Sequence, residues 1–240
     1  MTDATDALGD PRAQKARTEV ASPYPPGGRP PGPPAAELSE STRPIGPVAG
    51  PDGKLRCPWG LSAPEYVAYH DEEWGRPVRG DQAMYERLCL EAFQSGLSWL
   101  TILRKRENFR KAFAGFDIQE VAAFTDADVT RLLADAGIVR NRAKINAAIN
   151  NARVALDLDE GLSDLFWSYA ETEPRPAPKT LADLQPQTPE SKALAKELRK
   201  RGFVFTGPVT VYAAMQACGL VNDHLADCFA RGKQPGKQPG

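Results

Sequence analysis

Histidine and cysteine are scarce: the chain of 240 residues contains two histidines and four cysteines. Four cysteines at irregular spacing do not match the disulfide framework typical of small secreted proteins, so we expect an intracellular, cytoplasmic protein. An excess of basic residues is missing too, because 30 Lys and Arg face 31 Asp and Glu, giving a net charge of −1. Net charge therefore gives no support for a nucleic-acid partner, which must be argued from local basic patches.

Long apolar runs are also absent. No stretch approaches the roughly 20 apolar residues that span a membrane, and the acidic first ten residues lack the apolar core of a signal peptide. The first 51 residues instead hold 11 of the 22 prolines and almost no apolar clusters. Such a segment buries too little apolar surface to offset the entropy of ordering. We predict a disordered Pro-rich extension over residues 1–53, a folded domain over 54–231 and a flexible tail over 232–240.

Helical periodicity runs through nearly the whole predicted domain. Thr125 followed by Asp128 is typical of a capping box, and Thr188 followed by proline is typical of another helix start. Gly202, which follows a run of basic residues, is a typical helix stop. Residues 83–93 and 97–113 also have the helical spacing of apolar side chains, and the short β-branched run 209–212 continues better as a helix. We predict an all-α fold.

Each histidine has a cysteine near it in the sequence. Cys57 and His70 lie near the start of the predicted domain, and His224 and Cys228 lie near its end. On a helix, the spacing of four between His224 and Cys228 would place both side chains on one face. Two cysteines and two histidines form a complete tetrahedral zinc set of the structural type. The alternative is two partly buried histidines and two buried thiols, and spacing alone does not exclude it.

Aromatic side chains surround a carboxylate in the first half of the domain. Four of them fall within sixteen residues: Trp59, Tyr66, Tyr69 and Trp74. Glu91 lies in a mostly apolar stretch, and Trp99 follows eight residues later. An enzyme that acts on a nucleobase extrudes it from the helix, stacks it on aromatic rings and reads its polar edge. Aromatic faces also attract cations, so this set would suit a cationic purine. The alternative is that the aromatics are core and that Glu91 faces solvent.

Three basic segments, 104–111, 140–144 and 196–201, are candidates for a nucleic-acid surface, although such runs usually mark solvated helix faces. The third leads into a glycine-bounded turn, Lys200 to Gly207, between two predicted helices. A helix–hairpin–helix of this kind offers backbone N–H groups and a helix N-terminus to a phosphate. The turn at residues 137–140 is a rival for the same role. The candidate DNA-binding residues are Lys200, Arg201, Gly202 and Gly207.

Residues 57–228 resemble the 3-methyladenine DNA glycosylase I family of the helix–hairpin–helix DNA glycosylase superfamily. The strings that carry the resemblance occur in family order: Cys57-Pro-Trp-Gly, Tyr69-His-Asp-Glu-Glu-Trp-Gly75, Leu90-Glu-Ala-Phe-Gln-Ser-Gly-Leu-Ser-Trp99, Arg104-Lys-Arg-Glu-Asn-Phe109, Asp135-Ala-Gly-Ile-Val-Arg140, Lys200-Arg-Gly-Phe203 and Met215-Gln-Ala-Cys-Gly-Leu-Val-Asn-Asp-His224. The resemblance implies the helix–hairpin–helix glycosylase fold, with a structural Zn²⁺ site that joins the two ends of the domain. It places the zinc ligands on Cys57, His70, His224 and Cys228.

The resemblance also implies a base pocket. Glu91 matches the base-contacting carboxylate, Tyr69 its neighbouring tyrosine and Trp99 the tryptophan that stacks on the base. Trp59 and Trp74 fall on positions that line the pocket, and Leu97 matches the apolar side chain that enters the DNA stack. We therefore expect a monomeric, nucleoid-associated repair enzyme that flips 3-methyladenine out of alkylated double-stranded DNA and hydrolyses its N-glycosidic bond.

The mechanism expected from these residues needs little acid catalysis. Methylation at N3 makes the purine cationic and a good leaving group, so the protein's tasks are extrusion, recognition and positioning. No general base and no lysine nucleophile is assigned, and strand cleavage is not expected. Three alternatives remain: a zinc-stapled module that binds without catalysis, a glycosylase for another lesion, and an added recruitment role for the Pro-rich extension.

Overall fold

The first described element is a short β-hairpin. The structure is a computed structural model that describes residues 46–173 and 175–233. Strand β1 (Val48–Ala49) pairs antiparallel with β2 (Leu55–Arg56), so that Val48 lies opposite Arg56. Strand β1 belongs to the segment that was predicted to be a disordered extension, so the folded part begins before the predicted boundary at residue 54. Because of these two strands, the predicted all-α fold is confirmed only as a mostly helical fold. Strands of two residues are too short to produce a periodic signal. Residues 1–45 and 234–240 lie outside the described residues.

Helices make up most of the remaining described chain. Their bounds are α1 (Pro64–Ala68), α2 (Asp81–Gln94), α3 (Trp99–Ala112), α4 (Ile118–Ala122), α5 (Asp126–Ala134), α6 (Arg142–Leu156), α7 (Leu162–Trp167), α8 (Pro189–Arg201) and α9 (Pro208–Ala217). A π-helical turn, Tyr69–Glu73, directly continues α1. In the described part of the chain, no helix combines the length and apolar character of a membrane span.

Local capping chemistry explains where the longer helices begin and end. The predicted capping box of Thr125 and Asp128 is present at the start of α5. Thr188 caps α8, and Gly202 ends that helix in the left-handed conformation with φ of 101°. Helix α3 begins two residues later than the predicted position 97, because the Ser98 side chain accepts a hydrogen bond from the Thr101 N–H at 3.2 Å.

Helix α2 lies at the centre of the core and packs against α3, α6, α7 and α9. Its side chains Met84, Leu88 and Leu90 are fully buried. Burial of each such side chain stabilises the fold by roughly 1.5–3 kcal/mol. Glu91, in the C-terminal part of α2, therefore lies within the apolar core.

The two ends of the described domain meet beside this core. The Phe229 N–H donates to the Leu55 carbonyl at 2.9 Å, and the Leu225 N–H donates to Cys57 Sγ at 3.4 Å. These contacts place residues 55–57 against residues 224–229, although more than 160 residues separate them. This junction contains the cysteines and histidines that the sequence singled out.

Candidate functional site

Cys57, His70, His224 and Cys228 form one buried cluster at the junction of the chain ends. One ligand atom from each of the four lies within 4.8 Å of all the others. Three sulfur–nitrogen separations are 3.8 Å for Cys57–His224, 3.4 Å for Cys228–His70 and 3.6 Å for Cys228–His224. Sulfur and nitrogen ligands on a tetrahedral Zn²⁺ would lie about 3.6 Å apart, given the usual bond lengths. The four side chains thus fit a tetrahedral metal site.

The outward-facing nitrogen of each imidazole has a hydrogen-bond partner. His70 Nδ1 lies 2.8 Å from Asp71 Oδ1, and His224 Nε2 lies 3.1 Å from the Trp74 carbonyl. Asp71 is held in turn by Arg56, whose Nη2 lies 2.7 Å from Asp71 Oδ2. Such partners fix the tautomer and orientation of ligating histidines. The nitrogens left for a metal are His70 Nε2 and His224 Nδ1.

The close contact between the two thiols of the cluster drives their pKa values apart. The contact with Cys57, together with those from both histidines, lowers the pKa of Cys228 to about 2, whereas the same contact and burial raise the pKa of Cys57. A buried thiolate between two imidazoles is a soft ligand set, as Zn²⁺ prefers. His224 and Cys228 do not lie on a helix: α9 ends at Ala217, and the segment between them is a turn in which the Cys228 N–H donates to the Leu225 carbonyl.

Aromatic side chains alternate with the metal-ligand candidates along the chain and cover one side of the cluster. Trp59 follows Cys57 on a 3₁₀ turn, and Tyr69 and Trp74 flank His70. The ring centroids are 5.0 Å apart for Trp59–Trp74, 6.4 Å for Trp59–Tyr69 and 5.4 Å for Tyr69–Trp99. The four rings therefore form a continuous wall next to the cluster.

Gly60 permits the close packing of this wall on the cluster. A Cβ atom at Gly60 would lie 2.8 Å from His70 Cγ, closer than two carbons can approach without displacement. Any larger side chain there would push the His70 ring away from its ligand position. The glycine is therefore needed for space rather than for backbone freedom.

Glu91 is a buried carboxylate with an unused oxygen. Its side chain is 5% exposed, and Oε2 has no hydrogen-bond partner among the described residues. Burial raises the pKa of Glu91 to about 8, opposed by the charge of Arg87 one turn earlier on α2. Burial and then the Glu91 charge raise the pKa of the Tyr69 hydroxyl as well. The alternative in which Glu91 faces solvent is wrong.

Trp99 and Tyr66 add further unused polar atoms. Trp99 Nε1 and the Tyr66 hydroxyl are buried and lack hydrogen-bond partners within the described ranges. Buried polar groups in folded proteins are nearly always paired, so these unpaired atoms are available to a polar ligand. With Glu91 Oε2, the set offers a donor and an acceptor next to an aromatic wall.

Leu97 lies on the turn that connects Glu91 to Trp99. It is 43% exposed and stands between α2 and α3, with Gly96 at a φ of 82° just before it. Gly96 before it is exposed and Ser98 after it is half-buried, whereas Gln94 and Trp99 at the two ends of the turn are buried. The turn therefore presents an exposed apolar tip six residues after Glu91 and two residues before Trp99.

The first basic segment is occupied by intramolecular contacts. Arg104 pairs with Glu65, Arg106 with Glu73 and Arg110 with Glu86, at 2.7, 2.5 and 2.8 Å. The second segment divides: Arg140 and Arg142 are exposed, whereas Lys144 is buried and donates to backbone carbonyls. The prediction that Lys144 belongs to a basic surface is therefore wrong, whereas segment 104–111 stays a prediction in which three of the cations already have acidic partners.

The third basic segment ends in the α8–α9 turn, residues 202–207. Arg201 pairs with Glu197 and Glu160, and Lys200 lies 3.8 Å from Glu197. Gly202 has a left-handed φ, and Gly207 is the N-cap of α9. The tip of the turn exposes Val204 and Phe205, the latter at a φ of 58°. Non-glycine residues at positive φ are strained and cluster at functional sites.

The model of the methyladenine glycosylase family matches residues 59–231. This chain belongs to the methyladenine glycosylase family. DNA-3-methyladenine glycosylase 1 of Escherichia coli (strain K12) is 46% identical over 188 residues, covering 77% of this chain and 99% of that relative. The DNA-3-methyladenine glycosylase of Haemophilus influenzae (strain ATCC 51907 / DSM 11121 / KW20 / Rd) is 44% identical over 178 residues, covering 72% and 96%.

Solved structures of the same family share this fold. A crystal structure of 3-methyladenine DNA glycosylase I has a TM-score of 0.70 at 46% identity and covers 75% of this chain and 100% of its own. The structure that describes 3-methyladenine recognition by the Staphylococcus aureus enzyme has a TM-score of 0.70 at 36% identity, covering 75% and 97%.

In this family member, the fold brings the predicted metal set and the predicted pocket residues together, from four segments far apart in sequence. Sequence reasoning missed two kinds of residue: the outer partners Asp71 and Arg56 of the cluster, and the buried polar residues of α6. Asp71 directly follows the ligand candidate His70, and this adjacency is the sequence signal that could have identified it as a partner of the imidazole.

Proposed function

We propose that this chain hydrolyses the N-glycosidic bond of 3-methyladenine in alkylated double-stranded DNA, releasing the free base and leaving an abasic site for base-excision repair. The observation that carries the proposal is the buried carboxylate of Glu91, whose Oε2 has no hydrogen-bond partner among the described residues, near Tyr69 and Trp99. The named activity of the relatives supports it. The activity belongs to the part of the chain that the family matches, residues 59–231.

Glu91 accepts hydrogen bonds from the edge of the extruded adenine and offers a negative charge to the cationic ring. A cation in the pocket favours the ionised form, which offsets the burial that raises the pKa of Glu91 to about 8. Trp99 stacks on the base and Tyr69 holds it by contact with the ring, while Trp59 and Trp74 line the pocket. Cation–π attraction adds to stacking because the rings face a positive purine.

The chemical step requires positioning more than acid–base catalysis. The cationic base is already a good leaving group, and water attacks the sugar as the base departs. We assign no general base. Lys144 is buried in the fold, but its ammonium is engaged by two backbone carbonyls and is therefore not proposed as a nucleophile.

DNA binding uses two elements in this proposal. Leu97 enters the stack at the site of the extruded base, because an apolar wedge compensates for lost stacking. The α8–α9 turn acts as a helix–hairpin–helix, in which Lys200, Arg201, Gly202 and Gly207 contact the phosphates. The turn at residues 137–140 is the second candidate, favoured by the exposed Arg140 and Arg142, for which the described residues supply no ion-pair partner.

The Cys57, His70, His224 and Cys228 cluster holds a structural Zn²⁺ in this proposal. Four protein ligands would complete a tetrahedral shell and leave no open position for water or substrate. These residues would hold the ion as a cross-link between the two ends of the domain, and it would supply no catalytic chemistry. Asp71 and the Trp74 carbonyl orient the ligating rings.

The experiment for the proposal is to incubate a methylated duplex with the protein and to measure abasic sites. Hot alkali should reveal strand breaks at the sites of lost bases, whereas the same DNA without alkali should stay intact. Breaks without alkali would contradict the monofunctional assignment. Binding of the duplex without any alkali-labile sites would favour a non-catalytic binding module.

A further inference from the structure

Two buried polar side chains of α6 hold the two turns that the proposed function assigns to DNA contact. Lys144 is 8% exposed, and its Nζ donates to the Phe93 carbonyl at 2.9 Å and the Ser95 carbonyl at 2.5 Å. Asn151 is 1% exposed and contacts the α8–α9 turn. Both side chains are polar residues that the glycosylase chemistry does not use.

Lys144 completes the hydrogen bonding at the end of α2. The Ser95 N–H binds the Ala92 carbonyl and the Leu97 N–H binds the Gln94 carbonyl, which leaves the carbonyls of residues 93 and 95 for Lys144. A cation at the C-terminal end of a helix is favourable, whereas Lys144 itself lies in the first turn of α6, where a cation is unfavourable. Burial and the dipole of its own helix both oppose this ammonium. The hydrogen bonds to the Phe93 and Ser95 carbonyls, next to Leu97, therefore hold the Lys144 ammonium in this buried position.

Asn151 binds both backbone groups of one residue in the α8–α9 turn. Its Nδ2 donates to the Val204 carbonyl and its Oδ1 accepts from the Val204 N–H, both at 2.9 Å. Asn150 Nδ2 adds a bond of 2.9 Å to the Gly202 carbonyl. These bonds fix the backbone beside the strained Phe205, which a short turn between two helices could not do by itself.

The spacing of the two residues places both anchors on one side of α6. Positions 144 and 151 are seven residues apart, which is about two helical turns and roughly 10.5 Å along the axis at 1.5 Å per residue. The helix is a single uninterrupted element over this span. A rigid rod with one anchor for each turn keeps the separation of the turns constant.

We propose that α6 sets the separation of the Leu97 turn and the α8–α9 turn, with Lys144 and Asn151 as its positioning residues. The inference rests on the proposed function, since it assumes that both turns contact DNA. Lys144 then controls base extrusion through Leu97, and Asn151 controls the affinity for duplex through the α8–α9 turn.

The test compares base-release kinetics of the full chain and its variants on methylated duplex DNA. Lys144→Met keeps the apolar stem but removes both donations, and it should lower kcat by roughly 100-fold, as misplacement by about 1 Å can do. Binding of free 3-methyladenine, followed by tryptophan fluorescence, should stay unchanged because Glu91 and Trp99 remain in place. Lys144→Arg restores a cationic donor and should recover part of kcat.

Arg153→Met is the matched control on the same helix. Arg153 also donates to two backbone carbonyls, but to those of Ala122 at the end of α4 and of Phe124 on the α4–α5 loop, at 2.8 and 3.0 Å. Its loss should leave kcat and KM unchanged. Asn151→Leu should raise KM for the duplex with little change in kcat, and it tests the second anchor even where Lys144→Met fails to fold.

A double-mutant cycle with Leu97→Ala tests whether Lys144 acts through Leu97. Coupled residues give non-additive effects, so Lys144→Met should lower kcat little further once Leu97 is gone. Additive losses, an unchanged kcat in Lys144→Met, or an equal loss of free-base binding would each overturn the inference while leaving the glycosylase proposal intact. A folded, unaltered protein that releases no base would overturn both.

Discussion

Replacement of Glu91 by glutamine probes the chemistry of the pocket with almost no change of shape. The amide keeps an acceptor oxygen but loses the negative charge that the cationic base requires. Hydrogen bonds to charged groups contribute about 1.5–3 kcal/mol. That range corresponds to roughly 10- to 150-fold in rate at about 1.4 kcal/mol per tenfold. We expect Glu91→Gln to lose base release by this factor and to bind free 3-methyladenine more weakly.

The pH dependence of kcat/KM, compared between the unaltered protein and Glu91→Gln, supplies an independent test. Because burial raises the pKa of Glu91 to about 8, the free enzyme carries a protonated carboxyl below that pH. The value of kcat/KM, which reports free-enzyme groups, should therefore rise with pH and level off above about 8. Glu91→Gln should remove this rise, and a rise of equal size in the variant would show that another group titrates.

The free energy of unfolding should fall as the pH rises, whereas kcat/KM should rise. A folded-state pKa above the ordinary carboxyl value of 4.5 means that the contribution of Glu91 is present below pH 4.5 and is lost as the pH rises through about 8. The free energy of unfolding should therefore fall over this window in the unaltered protein and fall less in Glu91→Gln. Glu86→Gln on the same helix, whose carboxylate pairs with Arg110, is the matched control for activity. Unchanged base release in Glu91→Gln would show that Glu91 does not contact the base.

Three further predictions concern the cluster and the aromatic wall. Purified protein should contain about one zinc per chain, and Cys228→Ala should lose both the metal and much of its thermal stability. Gly60→Ala should lower the melting temperature and the zinc content together, because its Cβ would lie 2.8 Å from His70 Cγ, and overpacking of this kind costs about 1–3 kcal/mol. Trp99→Leu should weaken binding of free 3-methyladenine by the stacking energy of about 1–3 kcal/mol, measured by titration calorimetry.

Each of these predictions has an outcome that would contradict it. A fully stable, metal-free protein would refute the structural zinc. Normal zinc content in Gly60→Ala would mean that His70 is free to move without leaving the metal. A folded Trp99→Leu protein that binds the free base as tightly as the unaltered chain would remove Trp99 from the pocket. Melting temperatures and metal content of every variant serve as the common control for folding.

The sequence predicted most accurately the elements whose signals are local. Helix α8 has a cap, Thr188, and a left-handed stop, Gly202, within its own flanks, and both signals hold. The strands β1 and β2 and the five-residue helix α4 have too few residues for periodicity to register. The turn between His224 and Cys228 also lacks a local signal, so its spacing of four wrongly suggested a helix.

Contacts between distant segments were beyond the reach of local patterns. Residues 57 and 224 come together only in the fold, so spacing could not decide between a metal site and separate buried side chains. Charge runs were equally ambiguous, because the partners of Arg106 and Lys144 lie on other elements. The family resemblance supplied the ligand and pocket assignments that residue patterns left open.

The glycosylase activity is tested by identifying the bases that the protein releases. Duplex DNA treated with a methylating agent is incubated with folded, zinc-loaded protein, and the free bases are separated by chromatography. We expect release of 3-methyladenine, with 7-methylguanine left in the DNA, and strong loss of release in Glu91→Gln. No release of 3-methyladenine by that protein would contradict the central claim and leave a binding module without glycosylase activity.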